Sequence, residues 1–158
     1  MTLKDKIAQW LKSGEIKKED IHSKDIAKLI RRSKKDIQSA KNTLSANEEL
    51  AYMAAYLGVL RAGRALMFAH GYRPSGRAHH KITFDFANVI LGDKFSLLVD
   101  KIDDMRKRRN QFTYDVDFID SVSEDEAKSS LSDAQDFIQT IADFLKNHWP
   151  SETEYQKL

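Results

Sequence analysis

Arg106-Lys107-Arg108-Arg109-Asn110, followed by Tyr114, is the densest group of chemically capable side chains in the sequence. Guanidinium groups are permanent cations with a planar fork of donors that matches carboxylate and phosphate oxygens. The Asn amide and the Tyr hydroxyl each donate and accept. The group closes a helical stripe, because Phe95, Leu98, Ile102, Met105, Arg109 and Phe112 recur at alternating spacings of three and four. Arg109 therefore falls in line with core residues. An inward guanidinium without a partner is costly. Either Arg109 pairs with a carboxylate inside the fold, or it lines a polar pocket that receives an anion such as a phosphate. Lys and Arg also gather at helix C-termini because of the helix dipole, so the run alone fits a structural role as well.

Other chemistries are thinly represented. The chain has no cysteine, which excludes disulfides, a thiol nucleophile and cysteine-ligated zinc. His22, His70 and His148 are isolated, and no His, Asp and Glu set has metal-ligand spacing, so neither a metal nor a cofactor is expected. Asp100, Asp103 and Asp104 lie beside Lys101, Arg106 and Lys107, which favours pairing along the helix, Asp103 with Lys107 for example. There is no phosphate-cradling glycine loop, dinucleotide fingerprint or nucleophile elbow. His79 and His80 are adjacent. They are either an ordinary first helical turn or a source of imidazole for the Arg109 cluster, since imidazole carries protons near neutral pH.

Helices must position these residues, and the apolar periodicity predicts them almost throughout. A short one is expected over 3–12, ending near Gly14. A second, over 23–44, has Ile26, Leu29, Ile30, Ile37, Ala40 and Leu44 on one face and Lys28, Arg31, Arg32, Lys34, Lys35 and Lys41 on the other. Ser45-Ala-Asn-Glu48 matches a capping box and opens a third helix that is apolar nearly all round from Leu50 to Ala69, as a central helix is. Gly71 suits its C-terminal cap, and 71–77 reads as a loop. Further helices are expected over 81–91 and 93–112. A last one starts at the capping box Ser123-Glu-Asp-Glu126 and continues through Ala127, Leu131, Ala134, Ile138, Ile141 and Leu145. No segment has clear strand alternation. The pattern predicts an all-α fold, an antiparallel up-and-down bundle of four to five main helices with a short N-terminal helix, in one domain spanning 1–158.

The net charge of +2 is unevenly spread. Residues 1–114 hold 23 of the 26 Lys and Arg and 13 of the 24 Asp and Glu. Either the basic part meets a polyanion or an acidic partner, or the two parts face and neutralise each other. The N-terminus lacks the apolar run of a signal peptide, and no stretch reaches the ~20 apolar residues of a membrane span. A cytoplasmic protein with no membrane partner is expected.

Asp104 to Tyr114, read as DMRKRRNQFTY, resembles the signature of the HEPN superfamily. These are small helical-bundle domains found in prokaryotic toxin–antitoxin and defence systems and in higher eukaryotes. The family motif is an Arg, then a polar residue that is often Asn or Asp, then a His further along the same helix end. Arg109 and Asn110 match the first two positions, and Tyr114 stands where the His is expected. Arg61-Ala-Gly-Arg64, Ala69-His-Gly-Tyr-Arg-Pro74 and His79-His80 are similar to a branch whose motif ends in Tyr. The resemblance covers about 25–145. It implies a HEPN-like bundle and, in active members, a metal-independent endoribonuclease that works as a dimer. There the Arg holds the scissile phosphate and the His assists attack by the ribose 2′-hydroxyl.

Carried to this chain, the resemblance puts Arg109, Asn110 and Tyr114 in the catalytic positions, with Arg108, Arg64, His79 and His80 as substrate-binding residues. A phenol is a weak base at neutral pH, so Tyr114 suits hydrogen-bond donation better than proton abstraction. The implied partners are a second copy of the chain and an RNA or nucleotide. Three functions follow. The first is an RNA-directed component of a toxin–antitoxin or defence system, cleaving or only binding. The second is a non-catalytic interaction module paired with a nucleotidyltransferase-like protein. The third is a nucleotide or anion binder using a pocket beneath Arg109.

Overall fold

The computed structural model describes residues 1–158. It comprises α1 (Leu3–Ser13), β1 (Ile16–Lys18), α2 (Ser23–Thr43), α3 (Glu48–Ala69), β2 (Tyr72–Pro74), α4 (His79–Leu91), α5 (Ser96–Tyr114), α6 (Glu124–His148) and α7 (Thr153–Gln156). The architecture is an all-α helical bundle with one small hairpin. α3 is its axis and packs on α2, α4, α5 and α6. Its buried residues, among them Tyr52, Tyr56, Val59, Ala62 and Leu66, run round the helix, as its apolar sequence requires. α2 and α6 each bury a single face, through Ile26, Ile30 and Ile37 in one and Leu131, Ile138 and Ile141 in the other. No helix is long and apolar enough to cross a membrane.

Two glycines let neighbours close on α3. A Cβ at Gly58 would lie 3.2 Å from the Ser33 carbonyl oxygen of α2 and 3.3 Å from Ile138 of α6. A Cβ at Gly63 would lie only 2.6 Å from Cγ2 of Thr83 on α4. Thr83 is fully buried, and its hydroxyl donates to the His79 carbonyl at 2.7 Å, so it cannot swing aside. This contact fixes the first turn of α4, which carries His79 and His80. Between α2 and α3, the buried Asp36 carboxylate accepts from Arg61 Nη1 at 2.6 and 2.5 Å. Arg32 adds a 3.4 Å contact to the same carboxylate. A carboxylate so buried is tolerable only with partners of this kind.

Several details depart from the sequence pattern. Asn47, not Ser45, caps α3; its side chain accepts from the Leu50 amide at 2.9 Å, while Ser45 lies in the turn before it. The segment expected to be a loop after Gly71 contains β2, which pairs antiparallel with β1 in the register Ile16↔Pro74 and Lys18↔Tyr72. Each strand has three residues, too few for alternation to show. α4 begins at His79, two residues before the expected start, while α5 starts at Ser96, after a 3-10 turn over Asp93–Phe95, and continues past the expected end to Tyr114. α7 is a single turn held by Tyr155, whose ring packs 6.1 Å from that of Trp149.

Candidate anion-binding cleft

α5 enters the core with Val99, Ile102, Met105 and Phe112 buried. Arg109, on the same stripe, is half-buried. No carboxylate pairs with it. Its guanidinium lies over the Tyr56 ring, 5.8 Å from the centroid, and Nη1 donates to Asn110 Oδ1 at 3.2 Å. The ring face offers a cation–π contact that leaves most of the donor fork unused. Of the two roles open to this residue from its spacing, the structure therefore places it in a polar pocket.

Tyr56 carries the arrangement onward. Its hydroxyl lies 2.8 Å from His80 Nδ1. If the imidazole Nδ1–H donates to the phenol oxygen, Nε2 presents a lone pair; if the phenol donates, Nε2 carries the proton. Burial raises the Tyr56 pKa, against the opposing charge of Arg109, so the phenol stays protonated. His80 is shifted down, first by burial and then by Arg64, Arg109, His79 and Arg106. Its neutral form is the favoured one. Arg64, one helical face along α3, has a buried Nε with no hydrogen-bond partner, and burial lowers its pKa too.

In front of this group opens a cleft of about 600 Å³. Arg77, His79, His80, Lys81, Arg106 and Arg109 line it with Asn110, and no carboxylate does. Lys81 and Arg106 are satisfied from outside the lining, by Asp85 at 2.6 Å and Asp103 at 2.7 Å. Burial pushes Asp103 up, but the Arg106 hydrogen bond and the nearby cations outweigh it and hold the carboxyl below its ordinary range. Arg77 and Arg109 have no such partner, which leaves the cleft a net acceptor of negative charge. The loop that closes it is anchored by the hairpin and by Ser75, whose hydroxyl donates to the Gly14 carbonyl at 2.7 Å.

A model of the HEPN domain family matches residues 26–145, most of the chain. The chain belongs to the HEPN family. No curated protein matches it. The matched segment of this HEPN chain runs from the first turn of α2 to the last turn of α6 and contains every residue of the cleft. Membership points to an RNA-related or nuclease-like role.

The motif residue Tyr114 and the expected substrate-binding residue Arg108 are not gathered at the cleft. Arg108 turns to the opposite side of α5, where Nε and Nη2 donate to Glu126 at 2.6 and 3.1 Å and Nη2 also reaches Ser121 at 3.0 Å. It ties α5 to α6. Tyr114 is the last residue of α5, 77% exposed, and does not line the cleft. Arg109, Asn110, His79 and His80 do converge, and Arg64 lies behind them. Nothing in the sequence pattern marks Tyr56, Arg77 or Lys81 as site residues, and Arg106 stands out only as part of the basic run. The buried Tyr56 has the sequence signature of any core aromatic on an apolar helix. The three cations stand in segments where surface charge is ordinary.

Proposed function

We propose that this chain is an RNA-directed protein of the metal-independent endoribonuclease type, with Arg109 as the phosphate anchor and His80 as the source of imidazole. The observation that carries the reading is an inward guanidinium with no carboxylate, joined through one tyrosine to a histidine held neutral. Arg109 and Arg77 would bind the non-bridging oxygens of a phosphodiester through charge-assisted hydrogen bonds. His80 Nε2 would take the proton from a ribose 2′-hydroxyl as that oxygen attacks the adjacent phosphorus. The phosphorus–5′-oxygen bond breaks, leaving a 2′,3′-cyclic phosphate. The departing 5′-oxygen takes a proton from solvent, which reaches the open cleft. Tyr56 holds the ring by Nδ1 and fixes its direction.

The chain is further proposed to act as a homodimer, within a toxin–antitoxin or defence setting as its family resemblance implies. Tyr114 would then serve a cleft shared with the second copy, where its hydroxyl can donate to a phosphate oxygen.

The test uses a labelled single-stranded RNA with chelator present throughout. Arg109→Ala is expected to lower cleavage by at least about 100-fold, the scale of removing one preorganised transition-state donor. His80→Gln should lower cleavage by about 10²–10⁴-fold, the contribution of a positioned proton carrier, while leaving RNA affinity within about threefold. RNA binding and cleavage that survive Arg109→Ala and His80→Gln together would dispose of the proposal.

A further inference from the structure

α2 carries seven Lys and Arg and two acidic residues, Asp25 and Asp36, and Asp36 is buried beneath Arg61. Lys24, Lys28, Arg31 and Lys35 are all exposed and none makes an ion pair. Their spacing of four, three and four puts them on one line, within about 60° of arc at the 3.6-residue repeat. The line runs about 16 Å along the helix at a rise of about 1.5 Å per residue. It faces directly away from Ile30, Ser33, Ile37 and Ala40, the buried side. Like charges one turn apart destabilise a helix, and cations in the first turns oppose its dipole. Folding therefore gains nothing from this row.

We propose that the outer face of α2 is a second nucleic-acid contact, a track for a sugar-phosphate backbone that is separate from the cleft. Each step of the row, about 4.5 to 6 Å, allows successive cations to meet successive phosphates of one strand. Beside the row, Lys34, Gln38 and Lys41 of α2 face Gln135 and Gln139 of α6 across a groove of about 280 Å³. Amides and amines of this kind serve phosphate and sugar oxygens without reading sequence. A lipid surface fits less well, because α2 buries most of its apolar side on α3 and α6 and the row itself carries no apolar side chain to insert. The cleft is built by α4, α5 and the turn before α4, whereas α2 packs on α3, α6 and α7. The two sites therefore answer to different substitutions.

The experiment is anisotropy of a fluorescein-labelled poly-uridine oligonucleotide on the full chain, from about 50 to about 200 mM salt. In the variant Lys24→Gln, Lys28→Gln, Arg31→Gln, Lys35→Gln, the slope of log K against log salt should shrink by about 3, at about 0.7 per lost phosphate contact. Affinity at low salt should fall about tenfold or more. The charge-preserving set, Lys→Arg at 24, 28 and 35 with Arg31→Lys, should bind like the parent. The melting temperature should not fall in either variant, because all four positions are exposed. An unchanged slope and affinity in the Gln variant overturns the proposal, and does so without touching the cleft reading if Arg109→Ala still weakens cleavage. Displacement of the RNA by polyglutamate or by phosphatidylserine vesicles at matched charge overturns it in favour of an acidic protein or a membrane. A changed sedimentation coefficient with RNA affinity intact overturns it in favour of a second copy of the chain.

Discussion

His80 is held neutral by what surrounds it, and its titration reports what enters the cleft. Burial is the leading cause of its lowered pKa, followed by Arg64, Arg109, His79 and Arg106; Tyr56, the group it touches, stays a neutral phenol. An anion bound among these cations would offset them and return the imidazole toward its ordinary value. In a titration followed by NMR, the His80 midpoint is expected below 6.5 in the free protein and should rise on saturation with inorganic phosphate. A free-protein midpoint at or above 6.5 would contradict the geometry. The same shift has a consequence for stability. The unfolded chain takes up this proton near 6.5 and the folded chain only at lower pH, so stability present above 6.5 is lost as pH falls through the folded value. His70, lowered chiefly by burial among Phe86, Phe144 and Trp149, adds to the loss in the same direction. Urea unfolding at pH 7.5 and pH 5.5 should give the lower midpoint in acid, and His80→Gln should narrow the gap. Arg109 was legible in sequence because its place on a three-four stripe forces it inward. The Tyr56–His80 contact was not, because it joins residues 24 apart and needs the α3–α4 packing to exist.

That packing rests on Gly63. An alanine there would drive Cβ into Thr83 Cγ2, and Thr83 is pinned by its bond to the His79 carbonyl. Overpacking of this kind costs about 1–3 kcal/mol. The strain would fall on the first turn of α4, so Gly63→Ala is expected to lower the melting temperature and also to weaken the Tyr56–His80 contact, visible as a shifted His80 titration. Gly63→Ala with parental stability and an unmoved His80 would show that α4 can slide freely. Asn47→Ala, far from the cleft, should cost about 1 kcal/mol through the lost α3 cap and leave His80 alone. The helices themselves were readable because α2 and α6 bury a periodic face, α3 is apolar all round, and some ends fall on a recognisable residue, as at Gly14 and Ser123. Ser45 misled because Asn47, also a strong capping residue, lies two residues on and takes the extended conformation itself, with φ −159°. The hairpin escaped because its stability comes from Ile16 packing on Met67, Ile82 and Phe86, contacts that no local window contains.

The molecule as a whole keeps its charges apart. Residues 1–114 carry the cationic surplus and residues 115–158 hold 11 acidic residues against three Lys. Only Arg108–Glu126 and Lys101–Asp133 are ion pairs joining the two parts, so most of the separation persists at the surface. Such a field draws a polyanion to one side and repels it from the other. The junction between the two parts lies just past the cleft, at the end of α5. There Tyr114 and Val116 are each 77% exposed and Ile119 is 53% exposed, interleaved with Asp115 and Asp117. These apolar side chains, rimmed by carboxylates, complement a surface that is itself cationic, and the cleft of a second copy is one. In an isologous pair each end would cover the other's cleft edge and carry Tyr114 toward the partner's Arg109. Burying such a side chain is worth about 1.5–3 kcal/mol, so losing two of them should be decisive for a modest interface. Sedimentation equilibrium is expected to show a dimer for the parent chain and a monomer for Val116→Asp with Ile119→Asp. The monomer should retain the phosphate-induced rise of the His80 midpoint, which needs one cleft, and lose RNA cleavage, which would need both. A parent chain that stays monomeric at high concentration, or a monomeric variant that cleaves at the parental rate, would confine the chemistry to a single chain and leave Tyr114 without a part in it.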